Sequence, residues 1–271
     1  MGIVRSALVW LLSLATSVAL AYSLFGLGFV ACTTPQATAA IGGTFSGWEN
    51  SVFPEKDMAA IAEAARAYSI EGASGDNLFA AIENALAETN PSLAAAFESW
   101  REGSGAAFAN SEAEGGQSAA ASALSNAAGS VSERYALSES ALSHLRDCTP
   151  IFTTGRISVG VVGGFAVAGL IALAIIASRK QAGRTLMAGA GLVFALLFAL
   201  GAWAVIDFNG LFTWMHQMLF AQGNWTFSAS SLLIQLFPEA FWAAMVALWV
   251  IASLVCAAIA LVLGKLVSHL P

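Results

Sequence analysis

The sequence predicts an all-α polytopic membrane protein. It has four transmembrane helices, both termini on the cytoplasmic side, and a mainly helical extracytoplasmic cap. Three observations lead there. Of 271 residues, 58% are apolar and 10% charged, with a mean hydropathy of +0.73; this excludes a disordered chain and argues against an ordinary soluble domain. Three long apolar runs follow Gly155 and one precedes Cys32, each near or above the roughly 20 residues that carry a helix across a bilayer. The few charges are also segregated. Arg5, the cluster Arg179, Lys180 and Arg184, and Lys265 fall on one face of a four-span arrangement, with no acidic residue among them. Positive charge marks the cytoplasmic face, so residues 33–156 lie outside, where six basic residues meet fifteen acidic ones. No nucleic-acid partner is expected.

Residues 6–31 are the first span. Arg5 ahead of the run and Phe29-Val30-Ala31-Cys32 at its end also suit a signal peptide with a loose lipoprotein-processing site. The run exceeds the about 7–15 apolar residues of such a leader, which favours a retained helix. Residues 33–156 form the cap. Pro54-Glu55-Lys56-Asp57 reads as a helix start, with proline in the first turn and acids near the positive end of the dipole. Met58, Ile61, Ala65 and Tyr68 recur at helical spacing until Gly72 stops them. Asp76 can cap a second helix bearing Leu78, Phe79, Ile82 and Leu86. Pro91 can open a third with Leu93, Phe97 and Trp100. These stripes read as the core of a small helical cap. Residues 103–130 are Gly, Ser and Ala with few large apolar groups, the composition of a flexible insertion. Ser138 can cap a short helix, 139–147, carrying Leu142, His144, Leu145 and Asp147. The remaining spans are 157–178, 185–206 and 240–264, and 207–239 is an aromatic loop at the outer membrane interface.

Cysteine is sparse. Cys32, Cys148 and Cys256 have no metal-ligand spacing, so neither a metal nor a cofactor is expected. Cys256 reads as a small core residue. Cys32 and Cys148 can form a disulfide if both face the oxidising side.

Chemistry concentrates in 207–242, which holds His216 and is dense in Phe and Trp. Phe212 and Phe220 stand at i−4 and i+4 from His216, so on a helix the imidazole joins an aromatic stripe at the lipid boundary. An imidazole there suits acyl transfer, since it accepts a proton when neutral and donates one when charged. The alternative is a hydrogen-bonded histidine in an aromatic belt. His144 has Asp147 at i+3, close enough to orient an imidazole, or simply an exposed His–Asp pair. Asp207 and Glu239 bracket the outer loop and are further supporting candidates, or helix termini. Asn224-Trp225-Thr226 matches a glycosylation sequon but hugs the membrane.

The stretch 211–242 (LFTWMHQMLFAQGNWTFSASSLLIQLFPEAFW) resembles the signature of a family of four-span bacterial integral membrane proteins that includes the lipoprotein intramolecular transacylase. The stretch 137–148 (LSESALSHLRDC) resembles its other motif, a His followed three residues later by Asp. The resemblance implies a plasma-membrane acyltransferase whose partners are membrane lipid and a lipoprotein N-terminus. It would move the sn-2 acyl chain of a diacylglyceryl-cysteine onto the cysteine's own amine, leaving a lyso-form lipoprotein. The family's two functional histidines fall on His144 and His216, with Asp147 and Asp207 as candidates to orient them. Residues 33–100 match only loosely and 103–130 depart from the pattern. Two rival readings stand beside this one: a non-enzymatic membrane adaptor or assembly protein, and an acyltransferase with a different lipid acceptor. A transporter is disfavoured because no ionisable residue marks a polar pathway inside the spans.

Overall fold

A computed structural model of the chain describes residues 2–95, 97, 98 and 133–269. The insertion expected over 103–130, and Trp100, lie outside them. Among the described residues the protein is helical and has no strand. In chain order the helices are α1 (Gly2–Cys32), α2 (Pro35–Phe45), α3 (Glu55–Arg66), α4 (Gly75–Thr89), α5 (Glu139–Ile176), α6 (Arg179–Ile206), α7 (Phe208–Leu219), α8 (Leu232–Leu236) and α9 (Glu239–His269). α1, α5, α6 and α9 are long and apolar enough to cross a membrane. The protein is thus a multi-pass membrane protein.

The pieces expected at 139–147 and 157–178 are one helix. Pro150 lies inside α5 and has no N–H for the carbonyl of Arg146, yet the helix runs on, because the turns on either side are intact. At 1.5 Å per residue, its 38 residues extend about 57 Å, roughly twice the hydrocarbon thickness. The apolar residues from 157 onward suffice to span. The first turns carry Glu139, His144, Arg146 and Asp147.

The chain divides into two compact units. The first comprises Met1–Thr34, Phe152–Met215 and Met245–Pro271. Its centre is Ala190, Val193, Leu197, Ala257 and Ala260, with Leu24, Phe25 and Leu254 packed around them. Small side chains let the helices approach, as expected where lipid gives no hydrophobic drive to association. Polar groups then stitch the backbones: Trp249 Nε1 donates to the Phe25 carbonyl at 2.9 Å, Ser253 Oγ to the same oxygen at 3.2 Å, and Ser17 Oγ to the Thr185 carbonyl at 3.2 Å. The outer faces are apolar and open, with Val205 89% and Phe198 80% exposed, as a lipid-facing surface requires. Gly28 makes one of the close approaches, since a Cβ there would sit 2.5 Å from the Trp249 carbonyl oxygen. Gly28→Ala should therefore cost about 1–3 kcal/mol by overpacking, read as a lower melting temperature of the full chain in detergent. An unchanged melt would contradict this packing.

The second unit comprises Pro35–Ile151 and His216–Ala244. α3 begins as its sequence requires: Pro54 precedes it and its carbonyl accepts the N–H groups of Asp57 and Met58. Gly72 ends the following turn at φ +68°, a conformation that glycine adopts without strain. Ser74, rather than Asp76, caps α4, its Oγ accepting from the Asp76 N–H; Asp76 stands in the first turn, where its charge suits the dipole. Met58, Ile61, Leu78, Ile82, Leu86 and Phe97 are buried, as the stripes predict. Trp48 fills a slot over Gly42 and donates Nε1–H to the Leu236 carbonyl at 3.2 Å, tying the α2–α3 connection to α8. Ser138 caps α5 through the Ala141 N–H, so Leu142 and Leu145 turn into the core and His144 takes a half-buried position between them.

Candidate active site

His144 sits in the second turn of α5 and His216 in the last turn of α7. Both belong to the second unit. Their rings lie 6.3 Å apart between centroids, with 22° between planes. α7 ends at a 2.7 Å bond from the Phe220 N–H to the His216 carbonyl. The chain then reverses at Gly223, whose φ of +80° favours glycine. This reversal folds the aromatic residues of 220–227 over the histidines. Phe220 packs on both rings, at 4.5 Å from His144 and 5.8 Å from His216. Phe227 lies 5.6 Å from His144, and Trp225 lies 5.2 Å from His216.

Asp147 fastens this loop. Its Oδ2 accepts from Gln222 Nε2 at 2.9 Å and Asn224 Nδ2 at 2.8 Å, and Asn224 Nδ2 also reaches Ser143 Oγ at 3.4 Å. The carboxylate one turn from His144 thus spends its hydrogen bonds on the loop that encloses the imidazoles. Arg146 is exposed and its Nε donates to Tyr68 Oη at 3.3 Å. Asp207 belongs to the other unit; its Oδ1 accepts the Gly210 N–H at 2.8 Å and caps α7. Glu239 is exposed in the first turn of α9.

The three cysteines are free, so the expected Cys32–Cys148 disulfide is not present. Each sulfur has its own neighbour: Cys32 Sγ donates to the Met245 carbonyl at 3.4 Å, and Cys148 Sγ lies 3.9 Å from His144 Nε2, one turn away on α5. Burial pushes the Cys148 thiol up to about 12, with Asp147 adding to the shift. At neutral pH it is therefore protonated and a poor nucleophile.

Burial holds the His144 imidazole down to about 4. A charged His216 acts in the same direction and Asp147 opposes both. His144 is thus a neutral proton acceptor at neutral pH. An unfolded histidine takes its proton near 6.5, well above the folded value. His144 therefore contributes in full above about 6.5, and the contribution is lost as pH falls through about 4. A His144→Gln variant should show a shallower acid limb in melting temperature against pH. A limb identical to that of the unaltered chain would contradict the depressed value.

No cluster of three or more His, Cys, Asp or Glu able to hold a metal occurs among the described residues. The arrangement offers two imidazoles, an amide and an aromatic shell. Such a set can take a proton at one atom and give one at another, beside a surface suited to acyl chains. Both histidines and Asp147 stand out in the sequence by type and spacing, whereas Gln222, Asn224, Trp225 and Phe227 do not stand out there as site residues. Their signal is the amides that interrupt an otherwise apolar aromatic segment, since polar groups among apolar side chains usually bond to something.

The family model described as "Lipoprotein intramolecular transacylase Lit" matches residues 121–242, a stretch that contains both histidines, Asp147 and the 220–227 loop. Among solved structures, the chain is similar to the membrane-integral lipoprotein intramolecular transacylase Lit from Bacillus cereus. The two share 15% identity over 97% of this chain and 96% of that one, with a TM-score of 0.66. A form of that protein with one histidine changed to arginine matches at 17% identity over 98% and 94% of the two chains, with a TM-score of 0.52. These identities are low, and the likeness is one of fold along nearly the whole chain. No curated protein matches. The resemblance read from 137–148 and 211–242 thus holds in both the family model and the fold.

Proposed function

We propose that this chain, which resembles the Lit family over residues 121–242, is a membrane acyltransferase acting on lipoproteins. It moves the sn-2 acyl chain of a diacylglyceryl lipoprotein onto the amine of the N-terminal cysteine, giving the lyso form. The observation that carries the reading is the juxtaposition of His144 and His216, 6.3 Å apart, from two distant stretches of chain, inside an aromatic shell.

The chemistry follows from what two imidazoles can do. One takes a proton from the amine as its nitrogen attacks the sn-2 carbonyl carbon. The other stabilises the oxyanion or gives a proton to the departing glyceryl oxygen. Amine and ester belong to one substrate molecule, so holding them in attack geometry supplies much of the rate. The shell of Phe220, Trp225 and Phe227 suits an acyl chain and keeps water from competing with the amine. Asp147 holds that shell in place. Asp207 and Glu239 act at helix starts and complete the outer loop's geometry.

In this reading both termini are cytoplasmic, and the cap of 33–156 and the loop 207–239 face outward from a bacterial plasma membrane. The spans are 6–31, 157–178, 185–206 and 240–264. Arg5, Arg179, Lys180, Arg184 and Lys265 support this orientation. Mass spectrometry of the N-terminal peptide of a model diacylated lipoprotein, co-expressed with the chain, tests the reading. One acyl group should appear on the amine with the unaltered chain, and the amine should stay free with His216→Ala. A free amine with the well-expressed unaltered chain would rule the activity out and leave the adaptor and other-acceptor readings in its place.

A further inference from the structure

Two buried polar atoms of the histidine cluster have no partner among the described residues: His144 Nδ1 and Asn224 Oδ1. Such atoms are uncommon, because each has given up its hydration without replacement. The orientation of Asn224 is fixed by its surroundings, and the proposal takes the His144 tautomer that leaves Nδ1 bare. The Asp147 carboxylate accepts only, so the end of the Asn224 side chain facing it at 2.8 Å is the NH2 group, and the carbonyl oxygen is the end left over. On His144, Nε2 has the Cys148 sulfur at 3.9 Å as its neighbour; with the resting proton on Nε2, the Nδ1 lone pair is free. Asn224 stands inside the same shell, bonded to the residues that flank His144, Ser143 through Oγ and Asp147. Its chain neighbour Trp225 packs on His216.

Two unpaired acceptors in one cluster match a primary amine, which has two N–H bonds and one lone pair. Resting on the transacylase reading above, we propose that Asn224 Oδ1 and His144 Nδ1 receive the two N–H bonds of the attacking α-amine, so that Asn224 sets the specificity for a primary amine. With both N–H bonds held, the nitrogen lone pair is left for the sn-2 carbonyl carbon. The C–N bond forms, and the proton held by His144 Nδ1 passes to that atom. The bond from the carbonyl carbon to the glyceryl oxygen then breaks, and the oxygen takes a proton from His216. One proton leaves nitrogen and one arrives on oxygen, so return of a proton from His144 to His216 restores the pair. The depressed proton affinity of His144 keeps it in the accepting form at neutral pH. Asn224 accepts throughout and never changes charge.

The test uses the purified full chain in lipid–detergent micelles with two synthetic diacylglyceryl-cysteine peptides. One has a free primary amine; the other has N-methylcysteine at the N-terminus and so only one N–H. The unaltered chain should prefer the primary amine by about tenfold to a hundredfold, the cost of one acceptor left unpaired. Asn224→Leu should lose about that factor on the primary amine and show no remaining preference. Asn224→Gln keeps both an NH2 group for Asp147 and an oxygen acceptor; it should be slower but keep the preference, and it serves if the leucine variant does not fold. A wild-type chain that acylates both peptides equally overturns the proposal. So does Asn224→Leu slowing both by the same factor, the behaviour of a residue that only holds the loop, and so does a glutamine variant without preference. If the unaltered chain acylates neither peptide, the transacylase reading itself fails and the proposal falls with it.

Discussion

Replacing His216 or His144 by alanine should lower acyl transfer to the amine by about 10²–10⁴-fold, the range for a positioned acid or base. The two losses should not add. One imidazole accepts the proton and the other delivers one, so removing either breaks the same sequence of transfers. The double variant should be about as slow as the slower single variant. Neither change should unfold the chain. His144 is half-buried, with no partner for Nδ1 among the described residues, and His216 is half-buried in the shell; neither belongs to the fully buried core around Met58, Leu78 and Leu142. Rates from mass spectrometry of the peptide product, beside melting curves of each variant, measure both halves of the expectation. A variant with full activity, or one whose loss matches its loss of folded protein, would contradict the assignment.

Asp147→Leu should have the next largest effect, about a hundredfold loss of rate. It leaves the amides of Gln222 and Asn224 without their shared acceptor, and displacement of about 1 Å in a reacting group is worth roughly that factor. Asp147→Asn keeps one oxygen that can accept from one amide, and should retain a substantial part of the activity. This pair separates two roles for the carboxylate. If Asp147 acted by its charge on the His144 ring, removing the charge alone would be as damaging as removing the side chain. If it acts by holding the loop, the asparagine variant should be clearly the better of the two. Gln222→Ala should be milder than either, because Asn224 still bonds to Asp147.

Much of this architecture was legible in the residues. The spans follow from apolar length alone, and Pro54, Gly72 and Ser138 stand at the helix boundaries their chemistry favours. The long α5 was not legible as one helix. The pattern closes a short cap helix at 147, whereas the one N–H bond missing at Pro150 is outweighed by the ordered turns on both sides. At the start of α4, Asp76 is a good cap by type, but Ser74, two residues earlier, holds the extended backbone that a cap needs. At the site, the histidines were legible because their type and neighbours stand out. The loop residues were not. Asn224 and Gln222 gain meaning only when Gly223 reverses the chain and brings them to Asp147, some 75 residues earlier in sequence. Side-chain pairings across such a distance leave no periodic trace. The disulfide reading failed for the same reason: compartment alone does not bring two thiols together.

The central claim is that the acyl chain leaves the glyceryl sn-2 oxygen and arrives on the amine of the same molecule. The most direct measurement gives the purified chain a synthetic diacylglyceryl-cysteine peptide carrying an isotopic label only in the sn-2 acyl group, followed by fragmentation of the product in the mass spectrometer. The account predicts unchanged total mass, the label in an amide at the N-terminal nitrogen, and the unlabelled chain still esterified at sn-1. A product with the label still on the glycerol and the amine free, from folded protein, would contradict it.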